Sequence, residues 1–361
     1  MNIQEIKVCE LLSFIESGEF KNLDPKPITE LRAISQFHNP DAEPADTALL
    51  YISEGSDLIA FAGLLPKYIN GKNLRVFSNS CWWAHPEKGK GAALPLFLKL
   101  IERANFNLYV SESTPRIKLI LEKTGLFGPL EQKEGIRIFL RFYFADIFSR
   151  RYPKLKWLSG LPAVADGILN LIARPSRFFY LKKFKKNSLE VELVPAVDKE
   201  LGTFIREHSE DEFIRKTPEN FNWFKKHPWV TVERQGEKVN YPFTCLVNRF
   251  GLDYYVLKKE QAIKAFVAVS HHDNLAKIPF IYFEEENISE VAASVMSLIL
   301  NKKYDSLIVF HPGIVEFMKS YKMLFLYKKK EIKFSGATKQ VFEYFAARPK
   351  LQDGDGDVVF V

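Results

Sequence analysis

The residues best suited to chemistry stand in one stretch, Trp82-Trp-Ala-His-Pro-Glu-Lys-Gly-Lys-Gly-Ala-Ala93, which runs straight into an amphipathic pattern. A strand that ends in a glycine-bearing loop and opens a helix gathers several backbone amides into one concavity. Together with the positive helix terminus, these suit a pyrophosphate. Gly89 and Gly91 let the backbone approach phosphates with no Cβ in the way. Lys88 and Lys90 add positive charge, and Ala92 and Ala93 keep the first helical turn slim. Gly-Lys-Gly by itself is a common turn, so its weight comes from the elements around it.

Those elements can be read from pattern. Thr47–Ser53, Asp57–Pro66 and Leu74–Ala84 are apolar runs separated by Glu54-Gly55-Ser56 and Asn70-Gly71-Lys72, which predicts an antiparallel meander ending at the loop. A helix is expected from Ala92 to about Arg103, a strand at Asn107–Ser113, and a short helix at Pro115–Lys123 stopped by Gly125.

This arrangement resembles the GCN5-related N-acetyltransferase superfamily. Its signature, Gln/Arg-x-x-Gly-x-Gly/Ala, is matched by Lys88-Gly89-Lys90-Gly91-Ala92-Ala93, with Lys where the family prefers Gln or Arg. A second family segment, Asn-x-x-Ala-x-x-x-Tyr-x-Lys-x-Gly-Phe, is similar to Thr114–Phe127, where Lys123, Gly125 and the aromatic survive. The resemblance covers residues 47–140. It implies acetyl-CoA as acyl donor, with Ser80, Trp82, Trp83 and Ala84 beside the pantetheine arm and Lys88, Gly89, Lys90, Gly91, Ala92 and Ala93 on the phosphates. An acceptor amine or hydroxyl would attack the thioester directly, with a general base taking its proton.

Catalytic residues are read less directly. The family's usual general acid is the tyrosine of the second segment, and Leu121 stands there instead. Glu112, at the end of a predicted strand, is the first candidate base, against a plain solvated carboxylate. His85 abuts the loop, where a structural role weighs more. Cys81 could accept an acyl group, although a core cysteine is the commoner fate of such a residue.

Residues 190–345 repeat the order of elements without repeating residues. After the run Lys277–Phe283 the chain reads Glu284-Glu-Glu-Asn-Ile-Ser-Glu290, whose carboxylates would repel a pyrophosphate. The expected fold is therefore α+β, with two acyl-CoA N-acyltransferase-like lobes, each a mixed, mostly antiparallel sheet flanked by helices. The expected division is 1–140 for the acyl-CoA lobe, 141–190 for a connector, 191–345 for a degenerate lobe and 346–361 for a tail strand. Arg215, Glu219 and Trp223 combine cation, carboxylate and indole in a way that suits a polar acceptor. His271-His272-Asp273 is expected at a solvated hairpin tip. The tail Asp353-Gly-Asp-Gly-Asp357 has the spacing of a calcium loop but lacks the distant Glu; no metal is expected.

The chain has 361 residues, a net charge of +7, 47% hydrophobic residues and three cysteines far apart, which excludes a disordered chain and a disulfide framework. Met1–Lys7 shows no leader pattern, and no run reaches the roughly 20 apolar residues of a membrane span, so a cytoplasmic protein is expected. The basic excess is local. Between Arg141 and Leu189 the only acids are Asp146 and Asp166. Two readings stay open for residues 150–186: a helix packed on both lobes, or a peripheral contact with a membrane surface. The absence of patterned aromatics argues against nucleic acid. Tandem lobes also resemble the peptidoglycan aminoacyl-transferases and surface-polysaccharide acyltransferases, which implies a small-molecule or saccharide acceptor, including an amino sugar or a lipid-linked saccharide. The rival readings are an aminoacyl-tRNA-dependent transferase and a non-catalytic CoA-binding scaffold.

Overall fold

In chain order, the computed structural model describes residues 2–232, 240–243, 246–321, 327–356 and 358–360. It begins with β1 (Gln4–Lys7), α1 (Leu11–Glu16), α2 (Gly18–Asn22) and α3 (Glu30–Phe37). The meander follows as β2 (Thr47–Glu54), β3 (Asp57–Tyr68) and β4 (Arg75–Ala84), then α4 (Ala93–Arg103), β5 (Leu108–Ser113) and α5 (Pro115–Thr124). Next come β6 (Glu131–Phe139), α6 (Phe144–Arg151), α7 (Gly160–Lys186), β7 (Glu190–Val194), α8 (Lys199–Glu207), α9 (Pro218–Lys226) and the short pair β8 (Thr231–Val232) and β9 (Leu246–Val247). The chain closes with β10 (Phe250–Lys259), β11 (Ala262–His272), β12 (Leu275–Phe283), α10 (Ile288–Asn301), β13 (Ser306–Val309), α11 (Pro312–Ser320), β14 (Tyr327–Ala337) and α12 (Phe342–Ala347).

The mixed, mostly antiparallel α/β architecture is the one expected, and so is nearly every element of residues 47–125. The division into units is different. One compact unit gathers residues 1–133, 195–252 and 332–361, and the other gathers 134–194 and 253–331. The boundaries at 140, 190 and 345 are therefore replaced by units assembled from separated segments. Leu246–Val247 form a short strand, and residues 244 and 245, including Cys245, lie outside the described set. Residues 324–326 lie outside it as well, and Tyr327 opens β14.

In the first unit the strand order is β1-β2-β3-β4-β5, antiparallel throughout except for the parallel pair β4–β5. The end of β14 adds to β5 in antiparallel register, Phe334 opposite Ser113. Helix α4 covers one face of this sheet, where Leu96, Phe97, Leu100 and Ile101 pack against Leu50, Ala62 and Leu64. The other face packs Tyr51 and Phe61 under α1 and the Phe20 region. In the second unit the order is β6-β13-β12-β11-β10-β7, and here β12–β13 is the parallel pair. Its core joins Val267, Ile281 and Leu307 to the buried face of α10. Helix α7 packs on α10 in this unit.

The tail is not a strand. Residues 351–356 are buried in the first unit, and a short 3₁₀ turn follows at Val358–Phe360. Its carboxylates meet lysines. Asp355 lies 2.6 Å from Lys216, which also reaches Glu212 at 3.3 Å, and Asp353 lies 2.9 Å from Lys333. Burial disfavours the Lys216 ammonium, but Asp355 and Glu212 outweigh that and hold its pKa above the ordinary lysine value. Gly356 sits at φ +77°, and a Cβ there would fall 2.8 Å from the Ser78 hydroxyl and 2.9 Å from that of Ser111. Glycine is required because the tail passes this close to β4 and β5.

Candidate active site

The site begins with a register. Strands β4 and β5 pair in parallel only at Phe77–Leu108 and Ser78–Tyr109. Beyond Ser78 the pairing stops, and the edge of Asn79–Ala84 that faces away from β3 has no strand partner among the described residues. On the β3 side the register steps from Leu64–Asn79 to Gly63–Cys81, so Ser80 is the extra residue of a β-bulge. Gly63 makes room for it, since a Cβ there would lie 2.6 Å from the Ser80 hydroxyl and 2.9 Å from the Cys81 sulfur.

The opening between the strands is a cavity of about 580 Å³. One end is apolar, lined by Trp82, Phe97, Ile117 and Leu121. Trp82 stacks on Phe97 at 4.4 Å, and its indole N–H donates to the Ala93 carbonyl at 3.0 Å, which fixes β4 to the first turn of α4. The other end is walled by Trp229, Tyr241, Phe243 and Phe360 around Arg32. Thr29 caps α3 and so sets the position of Arg32, whose guanidinium donates to the Tyr241 hydroxyl at 3.0 Å and the Ser80 carbonyl at 2.6 Å. It also lies 5.1 Å from the Trp229 ring centre.

Glu112 reaches the cavity from the end of β5. Thr114 terminates that strand by capping α5, with Pro115 in the first turn and Gly125 in the left-handed conformation at the far end. Lys333 holds the Glu112 carboxylate at 2.7 Å and shares itself with Asp353. Burial works against the Lys333 charge, yet Asp353 and Glu112 together keep its pKa above the ordinary value, so it remains an ammonium.

The glycine loop forms between β4 and α4 as the spacing predicts. Gly89 is locked: a Cβ there would meet the His85 backbone nitrogen at 2.6 Å and its oxygen at 2.7 Å. His85 organises the same loop, since its Nδ1 accepts from the amides of Glu87 and Lys88, both at 3.2 Å. Gly91 faces open space, and a Cβ added there would have nothing within 4 Å. The amides of Lys90 and Gly91 donate to no described residue. Lys88 pairs with Asp57 across the loop, which raises its pKa. Lys90 makes no ion pair among the described residues, so it is the loop cation open to an anionic ligand.

The structure thus sorts the sequence-predicted residues. Ser80, Cys81, Trp82, Glu112 and Leu121 line the cavity. Trp83 and Ala84 do not, and Trp83 packs on Phe61 on the opposite side of the strand. His85 belongs to the loop and does not reach the cavity. Arg215, Glu219 and Trp223 are not brought to it. Trp223 is a core residue whose indole N–H donates to the Ser35 carbonyl at 2.7 Å, and Arg215 stacks over Tyr68. His271 and His272 are half-buried, and desolvation first, then Lys277 and His271, lowers the His272 pKa to about 4. Sequence reasoning missed Arg32, Trp229, Tyr241, Phe243, Phe360 and Lys333. Nothing in their local sequence sets them apart from core aromatics and surface cations.

The fold is that of solved GCN5-related N-acetyltransferases. It is similar to one from Kribbella flavida, with 9% identity over 93% of this chain and 70% of that one and a TM-score of 0.50. It is also similar to a protein of unknown function from Enterococcus faecalis V583 described as a probable N-acyltransferase, with 6% identity over 95% of this chain and 74% of that one and a TM-score of 0.51. No family model matches the sequence, and no curated protein matches it. At such identities the likeness establishes the fold alone.

Proposed function

We propose that the chain is an acyltransferase that uses an acyl-CoA thioester, acetyl-CoA in the first instance, and that its first unit carries the reaction. The observation that supports this most is the early end of β4–β5 pairing, which opens a cavity whose Trp82 is bonded to Ala93, at the end of a helix-opening loop with two open amides. A thioester arm lying along Asn79–Ala84 would have its diphosphate at the Lys90 and Gly91 amides, where the α4 terminus adds a favourable field. Apolar side chains at Trp82, Phe97, Ile117 and Leu121 would exclude water from the thioester end.

The acceptor would enter from the end walled by Trp229, Tyr241, Phe243 and Phe360. A small polar acceptor with an apolar face, such as an amino sugar, would stack there, and its amine or hydroxyl would stand toward Glu112. Glu112 takes the proton from the attacking group, oriented by Lys333. With Leu121 apolar and buried, Tyr241 supplies the phenolic hydroxyl of the cavity that would protonate the leaving thiolate, steadied by Arg32. The same Leu121 favours the rival reading of a CoA-binding scaffold. Release of free thiol from acetyl-CoA, followed with a panel of amino sugars and simple amines, separates the two. Acceptor-dependent thiol release supports the transferase, whereas binding with no release for any acceptor selects the scaffold.

A further inference from the structure

The second unit carries an apolar surface that the reaction does not use. Helix α7 is apolar on two sides. Its inner side buries Ala173 and Phe184, and the buried Asp166 accepts from the amides of Phe144 and Ala145, both at 2.8 Å, to hold the start of α6. Its outer side repeats Leu161, Val164, Ile168, Leu171, Ile172, Phe178 and Phe179 at three-, four- and seven-residue spacings, all exposed. Leu161 is 73% exposed, Leu171 66% and Phe179 62%, while Trp157, just before the helix, is 78% exposed. At about 1.5 Å per residue this stripe runs roughly 27 Å. Contiguous exposed apolar surface of this extent marks a contact site.

Charge identifies the partner. Arg151 and Lys154 stand exposed before the stripe, Arg174 is exposed on the helix, and Lys182, Lys183, Lys185 and Lys186 end it, also exposed. From residue 147 to 189 the one acid is Asp166, which is buried and engaged. A second copy of this helix would set like charges together in either orientation, because both ends are basic and α7 itself exposes no acid. No helix among the described residues is long and apolar enough to cross a membrane, and the inner side of α7 is already packed on α10. We infer that the outer side of α7 lies in the surface of an anionic lipid bilayer, with Trp157 and the apolar stripe at the headgroup–acyl boundary and the lysines on lipid phosphates.

The test is flotation of the full chain with vesicles of phosphatidylcholine alone and with about a third phosphatidylglycerol. Binding at least tenfold stronger to the anionic vesicles, weakened by salt, is expected. Leu171→Glu with Phe179→Glu should abolish it, and Lys182, Lys183, Lys185 and Lys186 changed together to Gln should remove the anionic preference. Both sets change exposed positions, and unaltered melting curves would confirm that the variants fold. Absence of vesicle binding overturns the inference, as does equal binding by the Leu171→Glu, Phe179→Glu variant. Self-association abolished by that variant without any vesicle binding would instead assign the stripe to a second copy.

Discussion

The two units solve the same topological problem in opposite ways. Each has one parallel pair in its sheet, β4–β5 in the first and β12–β13 in the second, and in each the strand before that pair's crossover runs through a loop into a helix. In the first unit Cys81–Ala84 stays only partly buried and a cavity opens beside it. In the second, Ile278–Phe283 is buried at every position, so side chains occupy the equivalent stretch. The loops diverge likewise. The first carries Lys90 and two open amides, whereas the second carries Glu284, Glu285 and Glu286, with Glu284 paired to Lys264 at 2.8 Å. One topology thus presents two open amides and an unpaired lysine when glycine and lysine fill the loop, and a closed structural end when carboxylates do.

Four variants sharpen that contrast. The largest effect is expected at Lys216, whose buried ammonium joins the tail to the first unit. Lys216→Met leaves Glu212 and Asp355 as buried carboxylates without their cation, which should cost about 3–5 kcal/mol of unfolding free energy in denaturant titration. Glu112→Gln should lower kcat by about 10²–10³ with KM for acyl-CoA little changed; an unaltered kcat would remove Glu112 from the reaction.

The third concerns the second unit and pH. His272 is desolvated, and its pKa falls to about 4 from an ordinary 6.5. The unfolded chain therefore binds a proton that the folded chain refuses, so this contribution is full above about pH 6.5 and is lost as pH falls toward 4. Between pH 7 and 4.5, His272→Gln should thus lose less stability than the wild type, by up to about 2 kcal/mol, read from paired thermal melts. The smallest effect is the most discriminating for the second unit. Glu285→Gln with Glu286→Gln should leave acyl-CoA affinity within about twofold, since the strand before that loop is buried at every position from Ile278 to Phe283. A clear gain in affinity would show a second donor site.

How much of this could be read beforehand follows from the range of the interactions. The β2–β3–β4 meander, the loop, α4 and α5 are set by turns, caps and periodicity within a few residues, and they were legible. Gly89 was legible too, though its reason is the His85 backbone beneath it rather than a ligand above. The assembly of the units was not. Lys216–Asp355 and Lys333–Asp353 join residues far apart in sequence, and neither lysine differs locally from a surface lysine. The aromatic wall was lost for the same cause, because Trp229, Tyr241 and Phe360 come from separate segments and are gathered by Arg32 and by ring contact with one another. Trp223 misled for the converse reason: an indole beside a cation and a carboxylate looks like a binding cluster until Ser35 is found to accept its N–H.

The central claim is that the loop Lys88–Ala93 cradles the diphosphate of an acyl-CoA, and isothermal calorimetry on Gly91→Glu tests it most directly. A side chain at Gly91 meets no neighbour, so the fold should tolerate the change while a carboxylate enters the cradle. Micromolar binding of acetyl-CoA by the wild type, weakened at least a hundredfold in the variant, is the expected result. Equal binding by both proteins, or none by the wild type, would contradict it.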